Sequence, residues 1–210
     1  MSDRTLGFQY ATPAQQREAS TLGMWTFLAT EVLFLGTLVA AYLNYRIYHP
    51  HEIIEAARHT KIVLGTANTG VLLTSSACMA MAVRSVDDQA RRSAVWWLLA
   101  TALLGILFVA IKGYEYFEEF QEHLVPALNF DFTRYGPVGE LFFTWYFAVT
   151  GFHAVHLVIG IVIVLIAAGL LAADRFPDTM SVRIIGLYWH FVDIVWIFLF
   201  PLIYLAGRAH

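Results

Sequence analysis

Apolar residues dominate the chain in five long runs, which polar and charged segments separate. Each run is close to the length of about 20 residues that crosses a bilayer as a helix, and lipid cannot satisfy open backbone groups. The pattern therefore predicts an all-α, polytopic membrane helix bundle with five transmembrane helices. The predicted spans are residues 22–45, 62–83, 94–116, 139–172 and 184–206.

The five runs are joined by short linkers with turn-forming residues, without an internal repeat or a low-complexity segment. This organisation predicts a single transmembrane domain over residues 22–207, preceded by a polar segment over residues 1–21. Arg84, Arg91 and Arg92 lie in one short linker, and loops rich in cations favour the cytoplasmic side. The linker therefore indicates a cytoplasmic N-terminus. The total count of Lys and Arg gives little further support, since that orientation puts seven on the cytoplasmic side and six on the other.

The composition agrees with a membrane protein and excludes several kinds of site. Hydrophobic residues make up 59% of the chain and charged residues 14%, whereas soluble domains carry about a quarter charged residues. The net charge of −3 gives no indication of a nucleic-acid partner. Cys78 is the only cysteine, so this chain alone cannot form a disulfide, a thiolate zinc cluster, a four-cysteine iron–sulfur centre or a copper centre with two thiolates.

The second span carries small side chains at every fourth position. Such stripes let helix backbones approach closely in lipid, where the hydrophobic effect no longer drives helices together. The stripe predicts a close helix contact, either within the chain or with a partner, and chance in a span rich in alanine and threonine is the alternative. Its members are Thr66, Gly70, Thr74, Cys78 and Ala82.

A carboxyl group lies near the middle of the first span. A charged side chain at the bilayer centre costs about 2.5–3.5 kcal/mol on insertion scales, so Glu31 requires a partner, a lost charge or a function. One hypothesis is a buried carboxyl group that exchanges protons or binds a lipid headgroup. The other is a protonated glutamate that hydrogen-bonds to a neighbouring helix.

The last two spans contain histidines and an aspartate. His153 and His156 are three residues apart, as are His190 and Asp193, so each pair is predicted to lie on one helix face. Histidines on facing helices can bind metal or haem, but neutral histidines that hydrogen-bond between helices are the favoured interpretation, and no metal site is predicted. His190 and Asp193 are predicted to contact each other and to anchor the last span, with a proton relay as the alternative.

Lys112 and Glu115 have the same spacing at the end of the third span. They are predicted to form an ion pair where the helix leaves the bilayer, a place where snorkelling lysines are common. We assign six residues to an interhelical polar network and none to catalysis. The network comprises Lys112, Glu115, His153, His156, His190 and Asp193.

Five segments together resemble subunit III of the haem-copper terminal oxidases, the cytochrome c oxidase subunit 3 family. The resemblance covers nearly everything from Gly23 to Gly207. Each segment is moderately specific, and their common order and spacing make the resemblance strong. The segments are GMWTFLATEVLF (23–34), NTGVLLTSSACMAM (68–81), IKGYEYFE (111–118), TGFHAVHLVIG (150–160) and YWHFVDIVWIFLF (188–200).

The resemblance implies a non-catalytic, accessory subunit of a proton-pumping terminal oxidase in aerobic respiration. It implies that the chain carries no haem or copper and packs beside the catalytic subunit I, where it supports assembly, lipid binding, proton uptake and turnover stability. Structural phospholipids are the expected ligands, and Glu31 corresponds to the family's buried carboxyl group. The expected location is a bacterial inner membrane, with the N-terminus cytoplasmic and a respiratory supercomplex as a further assembly.

Longer members of this family begin with two extra helices that form one arm of a lipid-holding V. This chain is interpreted as the short form with five helices, which lacks the first two, so a partner chain would have to complete a lipid cleft. Cytochrome c is the expected electron donor, and a quinol oxidase or a nitric-oxide-reductase-associated homologue is the alternative. Two other classes stay open: a haem b anchor with His153 or His156 and His190 as ligands, and a proton-coupled transporter that uses Glu31 and Asp193.

Overall fold

The computed structural model describes residues 10, 12–58, 60–126, 128–175 and 179–205. Six α-helices and one π-helical turn make up almost all of this described part, which contains no strand. The helices are α1 (Pro13–Tyr48), α2 (Pro50–Arg58), α3 (Ile62–Asp87), α4 (Arg91–Gln121), α5 (Phe132–Ala172) and α6 (Thr179–Phe200), and the π turn is Pro201–Leu205.

Five of these helices are long and apolar enough to cross a membrane, which confirms the predicted fold class. The first begins earlier than predicted, because the Thr12 side chain caps it by accepting a hydrogen bond from the backbone N–H of Gln15 at 3.2 Å. Residues 13–21, which the sequence placed in the polar segment, thus lie in the same helix as the span. Residues 1–9, 11, 59, 127, 176–178, 206 and 207 of the predicted segments lie outside the described part of the chain.

A short helix that the sequence did not predict, α2, lies between the first two spans. Ile53, Ala56 and Ala57 recur at the three- and four-residue spacing of one helix face, and all three are buried. This face packs mainly on α5. The sequence predicts only a linker there, because nine residues are too few for a span and begin with a proline.

The helix α5 is kinked near its N-terminal end. Gly136 has φ 63° and ψ −176°, a backbone conformation that is essentially confined to glycine. Pro137 follows and disfavours helical geometry in the residue before it. The kink therefore separates the first turn of α5 from the long part that forms the fourth span.

The helices α3 and α4 form an antiparallel pair across a short turn at residues 88–90, and their contact is the most extensive in the fold. Buried residues recur alternately three and four positions apart on both helices, the spacing of two closely packed helices. The α6 helix packs on α3, and α5 packs on α4. The buried positions include Gly65, Asn68, Leu72, Ser75, Met79 and Ala82 on α3, and Ala94, Leu98, Thr101, Gly105, Phe108, Lys112, Glu115 and Glu119 on α4.

The predicted stripe of small residues on α3 does not form this contact. Thr66, Gly70 and Thr74 are exposed, Cys78 is half-buried, and Ala82 alone of the five is buried. The stripe repeats every four residues, whereas closely packed helices repeat about every 3.5, so the two patterns diverge along the helix. Within the chain, only Ala82 and part of Cys78 are covered, and a contact of the stripe with a partner chain stays a prediction.

The first helix, α1, packs mainly on α5 and α6. The Tyr42 ring stacks on Trp145 of α5 with 4.0 Å between the ring centroids, and its hydroxyl donates a hydrogen bond to the carbonyl oxygen of Leu202 at 3.0 Å. Trp145 Nε1 donates in turn to the carbonyl oxygen of Leu38 at 2.9 Å. These contacts fix α1 against the bundle and leave most of its large apolar side chains exposed, as a helix that faces lipid or another subunit requires.

Candidate functional site

Three groups of polar side chains that contain predicted site residues lie between the described helices. The carboxyl–imidazole pair consists of Glu31 on α1 and His156 on α5. The ion cluster consists of Lys112, Glu115 and Glu119 on α4, Tyr146 on α5 and Tyr204 in the π turn. The α3–α6 polar contact consists of Ser75 and Ser76 on α3 with Trp189, His190 and Asp193 on α6.

The carboxyl–imidazole pair joins α1 to α5 by a close polar contact. Glu31 Oε2 lies 3.2 Å from Nε2 of His156, and the two side chains are 19% and 21% exposed. The other ring nitrogen, Nδ1, lies 2.9 Å from the carbonyl oxygen of Phe152, which only accepts, so Nδ1 carries a hydrogen. A hydrogen bond between Nε2 and Glu31 then requires one more proton, either on the carboxyl group or on the imidazole. Both hypotheses for Glu31 are compatible with this geometry.

His153 and His156 face different neighbours, contrary to the predicted common face. His153 is buried, and its ring centroid lies 5.7 Å from that of Phe108 and 5.1 Å from that of Trp196. Among the described residues its Nε2 atom has no hydrogen-bond partner. A separation of three residues still rotates the two side chains by about 60° around the helix, which is enough to direct them to different helices.

Lys112 and Glu115 form the predicted ion pair, and both side chains lie in the interior of the bundle. Their side chains are 5% and 0% exposed. Lys112 Nζ donates to Oε2 of Glu115 at 3.0 Å, to the Tyr146 hydroxyl at 3.0 Å and to the Tyr204 hydroxyl at 2.9 Å. The two hydroxyls donate to Oε1 of Glu115 at 3.1 and 2.6 Å, so the cluster joins α4 to α5 and to the π turn.

Aromatic rings surround the Lys112 ammonium group as well. The Nζ atom lies 5.0 Å from the ring centroid of Tyr146 and 5.3 Å from that of Trp196. The negative faces of such rings stabilise a cation, more strongly where water is excluded. The rings and the Glu115 carboxylate together explain how a charged lysine is accommodated in the interior.

The α3–α6 polar contact uses partners that the sequence did not identify. His190 Nδ1 lies 2.7 Å from Oγ of Ser76, and Trp189 Nε1 donates to Oγ of Ser75 at 3.2 Å. Asp193 is 2% exposed, and neither of its carboxyl oxygens has a hydrogen-bond partner among the described residues. The predicted contact between His190 and Asp193 is therefore wrong, because a serine on α3 binds the imidazole instead. The prediction that His190 anchors the last span to another helix agrees with this geometry.

The described residues contain no group of three or more His, Cys, Asp and Glu side chains placed to hold a metal ion. Each histidine of the last two spans has its own neighbours: aromatic rings for His153, Glu31 for His156 and Ser76 for His190. The geometry thus gives no support to a haem b anchor that uses two of them.

Known proteins match nearly the whole chain. The sequence model of the family described as "Cytochrome c oxidase subunit III" matches residues 7–208. The chain belongs to this family.

Relatives of this subunit III chain carry two kinds of name. The "Cytochrome c oxidase subunit 3" of Synechocystis sp. is 34% identical over 190 residues, which cover 87% of this chain and 74% of the relative. The protein of the same name from Thermostichus vulcanus is 31% identical, with 89% and 87% covered. The "Probable quinol oxidase subunit 3" of Staphylococcus epidermidis is 28% identical, with 92% of both chains covered.

Membership of the subunit III family confirms the resemblance carried by the five sequence segments. Subunit III proteins are components of multi-subunit haem-copper oxidases, so this chain is part of an oxidoreductase complex that contains other oxidase subunits. The five long apolar helices agree with a multi-pass membrane subunit.

Proposed function

We propose that this subunit III is a non-catalytic accessory subunit of a proton-pumping cytochrome c oxidase in aerobic respiratory electron transport. The family match over residues 7–208 carries the proposal. The chain has no redox centre of its own, and the haem and copper reside in the partner subunits. Its work is to support assembly, lipid binding, proton uptake and stability during turnover.

The carboxyl–imidazole pair is the proposed site of proton exchange. Glu31 and His156 lie between α1 and α5, and each is about one-fifth exposed, so the pair is accessible from the surface of the bundle. A group that holds one proton between two bases can accept and release it with little rearrangement. We assign to the pair a supporting role in proton uptake by the oxidase, with a phospholipid headgroup as the second ligand that a partly exposed carboxylic acid can bind.

The catalytic subunit I is the proposed principal partner. The exposed stripe of small residues on α3 offers a surface on which another helix can pack closely, because no atom lies within 4 Å of a Cβ atom added at Gly70. Structural phospholipids fill the remaining apolar surface in this proposal. The complex resides in a bacterial inner membrane, with the N-terminus of this chain in the cytoplasm and a respiratory supercomplex as the larger assembly.

A quinol oxidase is the second candidate for the complex. The similarity to the "Probable quinol oxidase subunit 3" of Staphylococcus epidermidis, which covers 92% of both chains, favours it. The identity of 34% to a "Cytochrome c oxidase subunit 3" favours cytochrome c as the electron donor.

Purification of the tagged chain from its native membrane in mild detergent tests the proposal. We expect mass spectrometry to find a large haem-binding subunit, and the reduced-minus-oxidised spectrum to show haem that leaves with that subunit when this chain is stripped away. Haem that remains on the isolated chain would contradict the proposal and would support the alternative of a haem b anchor. Activity with reduced cytochrome c or with quinol identifies the electron donor.

Replacement of Glu31 by glutamine tests the proton-exchange site. Glutamine keeps the shape of the side chain and can donate an N–H to Nε2 of His156, but it cannot take up or release a proton. We expect the complex to assemble normally and to lose activity several-fold faster during continuous turnover, with slower proton uptake in single-turnover measurements.

Two variants control this experiment. His156→Gln removes the other half of the pair and should reproduce the effect. Glu18→Gln makes the same change at an exposed position of α1 and should have none. Wild-type inactivation and proton uptake in the assembled Glu31→Gln complex would remove the proposed role.

A further inference from the structure

Glu119 is the second buried carboxyl group of the ion cluster, beside Glu115. It follows Glu115 by four residues on α4, so both side chains lie on the same face of the helix. Its side chain is buried, with the residue 1% exposed, and neither carboxyl oxygen has a hydrogen-bond partner among the described residues. It nevertheless lies within electrostatic range of Lys112, Glu115 and Tyr146, and so belongs to the ion cluster.

The hydrogen-bond donors of Lys112, Tyr146 and Tyr204 all have acceptors other than Glu119. An ammonium group has three N–H bonds, and those of Lys112 point to Glu115, Tyr146 and Tyr204. Each tyrosine hydroxyl has one hydrogen, and both hydrogens go to Oε1 of Glu115. The ammonium and the two hydroxyls therefore satisfy one carboxylate and have no hydrogen left for a second.

The remaining hydroxyl groups near Glu119 are also committed. Tyr116 contacts Oγ1 of Thr150, and the Thr150 hydroxyl donates to the carbonyl oxygen of Tyr146 at 2.7 Å. Thr150 can then only accept from Tyr116, so the single hydrogen of Tyr116 is used there. The donors of Lys112, Tyr116, Tyr146 and Tyr204 are thus hydrogen-bonded to groups other than Glu119.

The charges of the cluster lead to the same conclusion. Lys112 and Glu115 cancel each other, so an ionised Glu119 would leave one net negative charge in the interior. An uncompensated buried carboxylate is costly enough that the group takes up a proton instead. Lys112 occupies one lone pair of the nearby Tyr146 hydroxyl, so the second lone pair is available to accept a hydrogen bond from a neutral acid.

An aqueous edge lies close to this acid. Lys61 Nζ donates to Oε1 of Glu122 at 2.6 Å and lies 3.9 Å from Oε2 of Glu118, beside an open pocket of about 660 Å³. The hydrogen bond to Glu122 raises the pKa of Lys61 above its usual value. Both Lys61 and Glu122 are within electrostatic range of Glu119, so the buried acid is near groups that contact water.

We propose that the ion cluster is a proton-binding site, in which Glu119 is a neutral carboxylic acid at neutral pH and exchanges its proton with water at the Lys61–Glu122 edge. The bound proton forms the O–H bond of Glu119 and comes from the aqueous phase, to which it returns on release. The charged or titratable groups around it are Lys112, Glu115, Tyr116, Tyr146, Tyr204, Lys61 and Glu122.

Infrared difference spectroscopy of the purified oxidase complex tests the protonation state. We expect the spectrum of Glu119→Gln, subtracted from that of the wild type, to show the loss of one acid carbonyl band per chain and no loss of carboxylate bands. The band should shift when water is replaced by D2O, because the acid proton exchanges. Loss of a carboxylate band without loss of an acid band would overturn the proposal, and a band that does not shift in D2O would overturn the exchange with water.

A second variant gives an independent test of the same state. In Glu115→Gln the Lys112 ammonium loses its counter-charge, so Glu119 should ionise to replace it. The acid band should then disappear while the number of carboxylates stays constant. Loss of one carboxylate in each of the two variants, with no acid band lost in either, would show that Glu119 was ionised from the start. Glu118→Gln, one residue away at the exposed edge, is the matched control and should lose only a carboxylate band.

Discussion

The Lys112→Met variant is expected to lower the free energy of unfolding of this chain by about 3–5 kcal/mol, the cost of breaking a buried ion pair from one side. Methionine fills the space of the lysine stem but removes the ammonium group and its three hydrogen bonds. The Glu115 carboxylate, which is fully buried, would then have no counter-charge. Titration of the purified chain from mild detergent into a denaturing one, followed by circular dichroism, measures the change.

Two further variants separate the unpaired charge from the lost volume. In Lys112→Met/Glu115→Gln no charge remains unpaired, so more than half of the lost stability should return. Lys61→Met removes a lysine from an exposed ion pair with Glu122 and should cost at most about 1 kcal/mol. If Lys112→Met were no more harmful than Lys61→Met, the ion cluster would not hold the bundle together.

Gly105→Ala is expected to destabilise the bundle by about 1–3 kcal/mol, although alanine is the better helix former. Gly105 lies where α4, α5 and α6 meet, and an added Cβ atom would come within 2.9 Å of Cη2 of Trp189 and 3.0 Å of Cγ1 of Ile161. Trp189 is fully buried and donates to Ser75, so its ring cannot move without breaking that hydrogen bond. The same denaturation experiment and the yield of assembled complex measure the effect.

The matched control for this substitution lies on the same helix. An added Cβ atom at Gly113 would meet no atom within 4 Å, so Gly113→Ala should keep or raise stability, by up to about 1 kcal/mol from helix propensity. Equal effects of the two substitutions would show that the close packing at Gly105 has no energetic importance.

The sequence predicted the fold well because a span is a local property. Lipid requires each helix to satisfy its own backbone, so an apolar run of sufficient length indicates a helix without knowledge of its neighbours. The sequence pattern did not predict α2, because this helix is short and its three buried residues are covered mainly by α5, a distant part of the chain. The start of α1 was missed because a capping threonine, and not hydrophobicity, sets it.

The site was predicted less completely, because its hydrogen bonds connect distant parts of the chain. The spacing of Lys112 and Glu115 indicated their pairing, but Tyr146 and Tyr204 reach them only when α5 and the π turn pack on α4. The same spacing rule failed for His190 and Asp193, since it states which side chains can meet and not which tertiary partner is preferred. A buried carboxyl group such as Glu119, which has no hydrogen-bond partner in the described part of the chain, leaves no signal in the sequence that distinguishes it from an exposed one.

The local pairing of Lys112 with Glu115 also bears on how the chain enters the membrane during synthesis. The two residues are separated by less than one helical turn, so their charges can cancel as soon as α4 becomes helical, before α5 and the π turn have left the ribosome. The insertion machinery then receives α4 with its lysine already neutralised, at a lower cost than two isolated charges would impose. Tyr146 and Tyr204 are synthesised later, and their hydrogen bonds then stabilise an ion pair that has already formed within α4.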